Sequence, residues 1–199
     1  MKNTGKIFLV DRAKKLAGPA YGKVLDIGYG EGNPYLKDAI GIEIKKTKKP
    51  ENYKSVFVMD AQHMKFKDKS FDTITIGCVL AHVENPSLFL RECYRVLKDN
   101  GKLIITVPNP MSPPTLLSNI LFPTHLATAK QHISVVPPRN LMVLFKHNGF
   151  NLEKRISLGI QVPIKQGFRV KTPLSIAQEI IYVLVKTKNK EDGILKIKD

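Results

Sequence analysis

Cysteine, acidic residues and long apolar runs are all scarce in this chain, and each shortage removes a class of protein. Only two cysteines occur, Cys78 and Cys93, each inside an apolar stretch, so a disulfide framework is excluded and two reduced, buried thiols suit a reducing compartment. No run of about 18 apolar residues is present, which argues against a membrane-spanning helix. Near the N-terminus, Lys2 and Lys6 are followed only by the short apolar run Ile7 to Val10, too short for the core of a secretion signal. A cytoplasmic protein is expected. The five histidines and two cysteines show no metal-ligand spacing, and no metal is expected. Internal repeats and low-complexity linkers are also missing, so residues 1–199 read as one domain with an ordinary core.

Carboxylates are outnumbered: 32 Lys and Arg face 17 Asp and Glu, for a formal net charge of +15 and a pI near 9.8. Such a field attracts nucleic acid, anionic surfaces or anionic small molecules, and equally describes a lysine-rich solvated surface. Charge alone names no partner.

What is present is an alternation of two patterns. Residues 8–17 carry apolar residues at helical spacing before the breakers Gly18 and Pro19. Short β-branched runs follow at Lys23 to Ile27, Ala39 to Ile44, Ser55 to Met59, Thr73 to Val79 and Leu103 to Val107, and all five read as buried strands. Pro86 to Leu97 has an amphipathic helical period closed by Asn100 and Gly101, and Pro138 to His147 is a second such helix. Phe150 to Leu158 and Glu179 to Lys186 supply two late strands. The pattern predicts an α/β, Rossmann-like doubly wound sheet of about seven strands, mostly parallel with an antiparallel C-terminal strand. Between the first two strands only Pro34 to Asp38 is left for a helix, far less than the dozen or more residues a parallel crossover needs.

The chemistry-bearing stretch is Val24-Leu25-Asp26-Ile27-Gly28-Tyr29-Gly30-Glu31-Gly32, a buried strand that ends on an acid and enters three alternating glycines. Glycine permits a sharp turn and close approach of backbone to ligand at the carboxyl edge of such a sheet. Polar residues close the next strands in order: Glu43 in Gly41-Ile42-Glu43-Ile44, where a carboxylate can accept both hydroxyls of a ribose, then Asp60-Ala61, with Phe71-Asp72 opening the fourth strand.

Over about residues 22–110 these motifs resemble those of the class I S-adenosylmethionine-dependent methyltransferases, in particular the broad group acting on small molecules and sugars. The resemblance implies that Asp26, Gly28, Tyr29, Gly30 and Gly32 surround the methionine part of S-adenosyl-L-methionine, that Glu43 with Ile44 holds the ribose, and that Asp60 and Ala61 lie beside the adenine. Cys78-Val79-Leu80-Ala81-His82-Val83 resembles the segment after the fourth strand, placing Cys78 at the cofactor and His82 at the cleft. Two departures stand out: Ala81 occupies a position that is acidic in many relatives, and the curtailed first crossover should leave the pocket more open.

For a hydroxyl acceptor, a histidine with a pKa near working pH can take the proton, which makes His82 and His132 the catalytic candidates ahead of His63 and His125. A structural contact is the alternative for each. The proline-rich apolar segment 111–138 is a candidate lid over the acceptor, or a helix on the sheet edge. The basic stretch Lys165 to Lys171 reads as a solvated loop. A small-molecule, glycan or lipid-linked acceptor is expected; RNA or protein remains open through the positive charge, as does a noncatalytic binding protein of the same fold. A nicotinamide dehydrogenase is disfavoured because Gly30 and Gly32 are two apart and position 33 is Asn.

Overall fold

The computed structural model describes residues 4–121, 136–161 and 169–187. A lead-in helix, α1 (Thr4–Ala17), precedes β1 (Val24–Ile27), β2 (Ala39–Glu43), β3 (Tyr53–Val58) and β4 (Phe71–Gly77). A 3-10 turn at Leu80–His82 and α2 (Pro86–Val96) lead to β5 (Leu97–Pro108), α3 (Pro113–Leu121), α4 (Pro138–His147) and β6 (Phe150–Ser157). A two-stranded side pair, β7 (Ile160–Gln161) and β8 (Arg169–Val170), then precedes β9 (Glu179–Lys186).

The main sheet has seven strands in the order β3-β2-β1-β4-β5-β9-β6. Its first five strands are parallel, and β9 runs antiparallel between β5 and β6. Strand order reverses between β1 and β4, so the crevice beyond their carboxyl ends is where such a sheet binds ligands. All four residues of β1 and most of β4 and β9 are buried, which explains why they read as unbroken apolar runs rather than alternating ones. Helix α2 starts where Pro86 follows Asn85, whose side chain accepts a 3.0 Å hydrogen bond from the Leu88 N–H. Its stripe Phe89, Leu90, Cys93 and Val96 joins Ile74, Ile76, Leu103 and Ile105 in the main core. Each such side chain contributes about 1.5–3 kcal/mol by leaving water.

Several sequence expectations are corrected. No helix forms at 34–38; the segment turns instead, with Asp38 at φ 51°. Five residues cannot complete a helix and return to the sheet. The covering there comes from Tyr29, Leu36 and Tyr53, which cluster with Val24 and Ala39. Gly41 makes this possible, because a Cβ there would sit 2.6 Å from the Tyr29 ring. Strand β3 is not buried: it is the sheet edge, with Lys54, Phe57 and Val58 exposed, and an edge lysine discourages pairing with another chain. Strand β4 stops at Gly77 rather than Val79 because Cys78 takes a left-handed conformation, φ 62°. Helix α2 ends at Val96 and β5 begins at once, its register against β4 shifting across a bulge that holds Asn100 at φ 61°. The β7–β8 pair was not anticipated in the stretch 159–173.

Candidate functional site

Gly28, directly after β1, has φ +68°. A Cβ there would meet the Val79 Cγ2 at 2.2 Å, so glycine is required both by conformation and by the segment that follows β4. Gly30, at φ +56°, differs: nothing lies within 4 Å of where its Cβ would be, and its backbone faces open space. The Gly30 N–H donates to the Glu43 Oε1 at 2.9 Å, tying the loop to the end of β2.

Two adjoining cavities flank this loop and share Gly28 and Gly77. One, of about 680 Å³, brings together Gly28, Glu43, Ile44, Asp60, Ala61, Cys78 and His82. The other, of about 490 Å³, is bounded by Asp26, Gly28, Tyr29, Gly30, Gly32 and, from α1, Arg12. The ten residues expected at a cofactor thus fall on two neighbouring lobes at one sheet edge. Ile44 lies just past β2 and is 64% exposed at the cavity rim. The Asp60 Oδ1 accepts from the Gln62 N–H at 2.8 Å, shaping the turn after β3.

Asp26 is 4% exposed. Its Oδ1 accepts from the Thr75 hydroxyl at 2.7 Å and its Oδ2 from the Tyr53 hydroxyl. Burial pushes its carboxyl up to about 6, against the two hydrogen bonds, which favour the ionised form; nearby Glu43 adds to the rise. Burial is also the main reason the Tyr53 hydroxyl is held above its ordinary range.

Cys78 turns its sulfur toward Arg12, whose Nη1 donates to Sγ at 3.3 Å and lies 3.7 Å from the Glu179 Oε1. Burial, then the Glu179 charge, pushes the Cys78 thiol up to about 12, so it is no nucleophile. His82, at the end of the 3-10 turn, is exposed on the rim of the larger cavity. His63 is exposed and off the cavity lining. His125, His132 and Lys165 lie outside the described residues, as does 122–135 of the candidate lid; the described part contains α3, which exposes Leu116, Leu117 and Ile120 after the exposed Met111.

Sequence reasoning missed Arg12, Tyr53, Thr75, Asn33 and Glu179 as parts of this region. Arg12 sits in a helix outside the motif, and Glu179 is 101 residues from Cys78, so no local pattern announced either. Among the described residues no cluster of three or more His, Cys, Asp or Glu suits a metal.

The donor set fits an adenosyl ligand. Glu43 ends β2 where a carboxylate can receive a ribose diol, Ile42, Ile44, Met59 and Val83 provide apolar walls, and the glycine loop leaves room for close approach of a chain.

The comparisons define the class. The profile of a family described as methyltransferase domain matches residues 6–155, and the chain belongs to that family. An uncharacterized protein of Methanocaldococcus jannaschii is 41% identical over 105 residues, covering 49% of this chain and 41% of that one. A demethylmenaquinone methyltransferase of Lactobacillus johnsonii is 44% identical over 55 residues, 27% of this chain and 22% of that one. The matches thus span less than half the length of these relatives. Among solved structures, a SAM-dependent methyltransferase from Thermotoga maritima superposes with a TM-score of 0.68 at 18% identity, covering 93% of this chain and 90% of that one. The fold is that of the S-adenosyl-L-methionine-dependent methyltransferases, and S-adenosyl-L-methionine is the cofactor the family implies.

Proposed function

We propose that the protein transfers a methyl group from S-adenosyl-L-methionine to a small-molecule, glycan or lipid-linked acceptor. The observation that carries this reading is the convergence of Glu43, Asp60, Ala61 and the glycine loop on two adjoining cavities at one sheet edge. When bound, the cofactor supplies a methyl group made electrophilic by its sulfonium. The chain's own residues bind and align. Glu43 accepts the ribose hydroxyls, Ile44 covers the ribose, Asp60 and Ala61 flank the adenine, and Asp26 through Gly32 surround the methionine portion. Cys78 lines the cofactor cavity beside Gly77 and Val79. For a hydroxyl acceptor, His82 takes its proton, with His132 as the second candidate base.

An acceptor with an apolar part is favoured by Met111, Leu116, Leu117 and Ile120, which lie exposed just beyond the carboxyl end of β5, next to that of β4. It is consistent with relatives that are demethylmenaquinone methyltransferases. No described helix is long and apolar enough to cross a membrane.

The net charge of +15 supports a second reading, an RNA acceptor. RNA binding that weakens steeply with salt would favour it, and salt-insensitive or absent binding would exclude it.

Isothermal titration calorimetry tests the first reading. Micromolar binding of S-adenosylmethionine or its demethylated product, lost in Glu43→Ala and absent for NADH, is expected. A protein that binds neither sulfur ligand is not using this site as described.

A further inference from the structure

We propose that Tyr53 is a positioning residue of the cofactor site: its hydroxyl bridges the two ends of the glycine loop and holds that loop where no crossover helix does. The inference rests on the cofactor reading of the loop given above.

Tyr53 opens β3, two strands away from β1, and is 2% exposed. Its ring crosses β2 beside Tyr29, with centroids 5.6 Å apart, and lies close under Gly32. The hydroxyl then does two things. It donates to the Asp26 Oδ2, before the loop, and accepts from the Asn33 N–H at 2.9 Å, after it. Asp26 is braced from the other side by Thr75 of β4. Asn33 is itself a junction. Its Nδ2 donates to the Ala13 carbonyl of α1 at 3.0 Å, its Oδ1 accepts from the Tyr35 N–H at 3.0 Å, and its carbonyl accepts from the Asn52 Nδ2 at 2.8 Å.

In a parallel sheet a helix normally covers the first crossover and anchors the loop that enters it. Here the segment from Pro34 to Asp38 only turns. One phenolic oxygen, buried and satisfied as both donor and acceptor, spans the loop in its place. Tyr53→Phe keeps the ring and leaves the Asn33 N–H and one Asp26 oxygen without their partner, at both ends of the loop at once.

Beside burial, the groups that set the charge state of Asp26 are the Tyr53 hydroxyl from β3, the Thr75 hydroxyl from β4 and the Glu43 carboxylate from β2, while Arg12 of α1 and Glu31 of the loop line the same cavity. The Tyr53 hydroxyl favours the ionised carboxylate, so its removal moves the Asp26 titration to higher pH.

The test is calorimetric titration with S-adenosylhomocysteine between pH 5 and 9 on the full chain. Tyr94→Phe serves as control, since it removes a tyrosine hydroxyl that makes a hydrogen bond to the Thr187 carbonyl, away from the loop. Expected for Tyr53→Phe are a Kd raised about tenfold and a pH profile displaced upward, as for loss of a hydrogen bond to a charged group. Tyr94→Phe should lower Tm with Kd and profile unchanged. A Tyr53→Phe protein with lowered Tm but wild-type Kd and pH profile reduces Tyr53 to core packing and overturns the proposal. If that variant does not fold, amide exchange in the wild type decides: the Asn33 amide must gain protection when S-adenosylhomocysteine is added, and unchanged exchange refutes the bridge. Failure of the wild type to bind overturns the site assignment itself, and the proposal with it.

Discussion

Replacing Gly28 by alanine should be among the more damaging single-methyl additions in this chain, and the structure separates its two costs. At φ +68° an alanine pays about 1–2 kcal/mol for the left-handed conformation. Its Cβ would also lie 2.2 Å from the Val79 Cγ2, against an ordinary carbon contact of about 3.5–4.0 Å, so the post-β4 segment must retreat by more than an ångström. Overpacking of this kind costs about 1–3 kcal/mol. The total of about 2–5 kcal/mol corresponds to a Tm lowered by roughly 4–20 °C for a domain of this size. Gly30→Ala is the internal control. It carries the same conformational cost at φ +56° but meets nothing within 4 Å, so it should lose only about 1–2 kcal/mol. Urea unfolding of Gly28→Ala, Gly30→Ala, Val79→Ala and the Gly28→Ala/Val79→Ala double variant measures both terms. The double variant should show a favourable coupling of about 1–3 kcal/mol as the clash is relieved. Equal losses for the two glycine variants, or no coupling with Val79, would refute the contact as the reason for glycine at 28.

Asp26 makes stability depend on pH in a stated direction. Because its carboxyl is pushed from 3.8 up to about 6, the folded chain holds a proton between those values that the unfolded chain has released, and stability falls as pH rises through that window, by about 3 kcal/mol from this group. Asp26→Asn should flatten the slope of unfolding free energy between pH 4 and 6, and an unchanged slope would show that another group sets it. Cys78 is pushed up to about 12 and the buried Cys93 is likewise raised, so neither thiol should react with a thiol-disulfide reagent at pH 8 until the chain is unfolded, when both should. Rapid release of one equivalent from native protein would contradict the geometry at Cys78.

What was legible in the sequence shares a physical cause. Strands β1, β4, β5 and β9 announce themselves because both their faces are covered, which enforces continuous β-branched runs. The glycine loop, Glu43 and Asp60 are legible because each sits at the end of such a run, and topology gathers strand ends on one edge. The same rule failed for β3: Val56, Phe57 and Val58 look like a buried run, yet an edge strand exposes part of it, and periodicity cannot tell an edge from a centre. The bond between Tyr53 and Asp26 was invisible for a different reason. It joins residues 27 apart whose strands are not neighbours in the sheet, so it exists only once β2 has been placed between them.

The short first crossover links these observations. A parallel sheet whose first crossover lacks a helix must still shield its apolar residues and satisfy the polar groups beneath the loop. This chain does so with side chains: the Tyr29 ring packs against Gly41, Leu36 folds in, and Tyr53 brings an aromatic ring and a hydroxyl together to β1. Helical cover would shield with carbon and leave the strand-end acid to the solvent or the ligand. Cover by tyrosines instead takes Asp26 out of water, which displaces its carboxyl upward against the hydrogen bonds from Tyr53 and Thr75, while Glu43 lines the open cavity and need release only the Gly30 N–H to meet a ligand. On the proposed reading of the loop, folding and cofactor recognition draw on the same few residues, so substitutions at Tyr53 or Asn33 should move both together, whereas substitutions at Glu43 should move binding with little effect on stability.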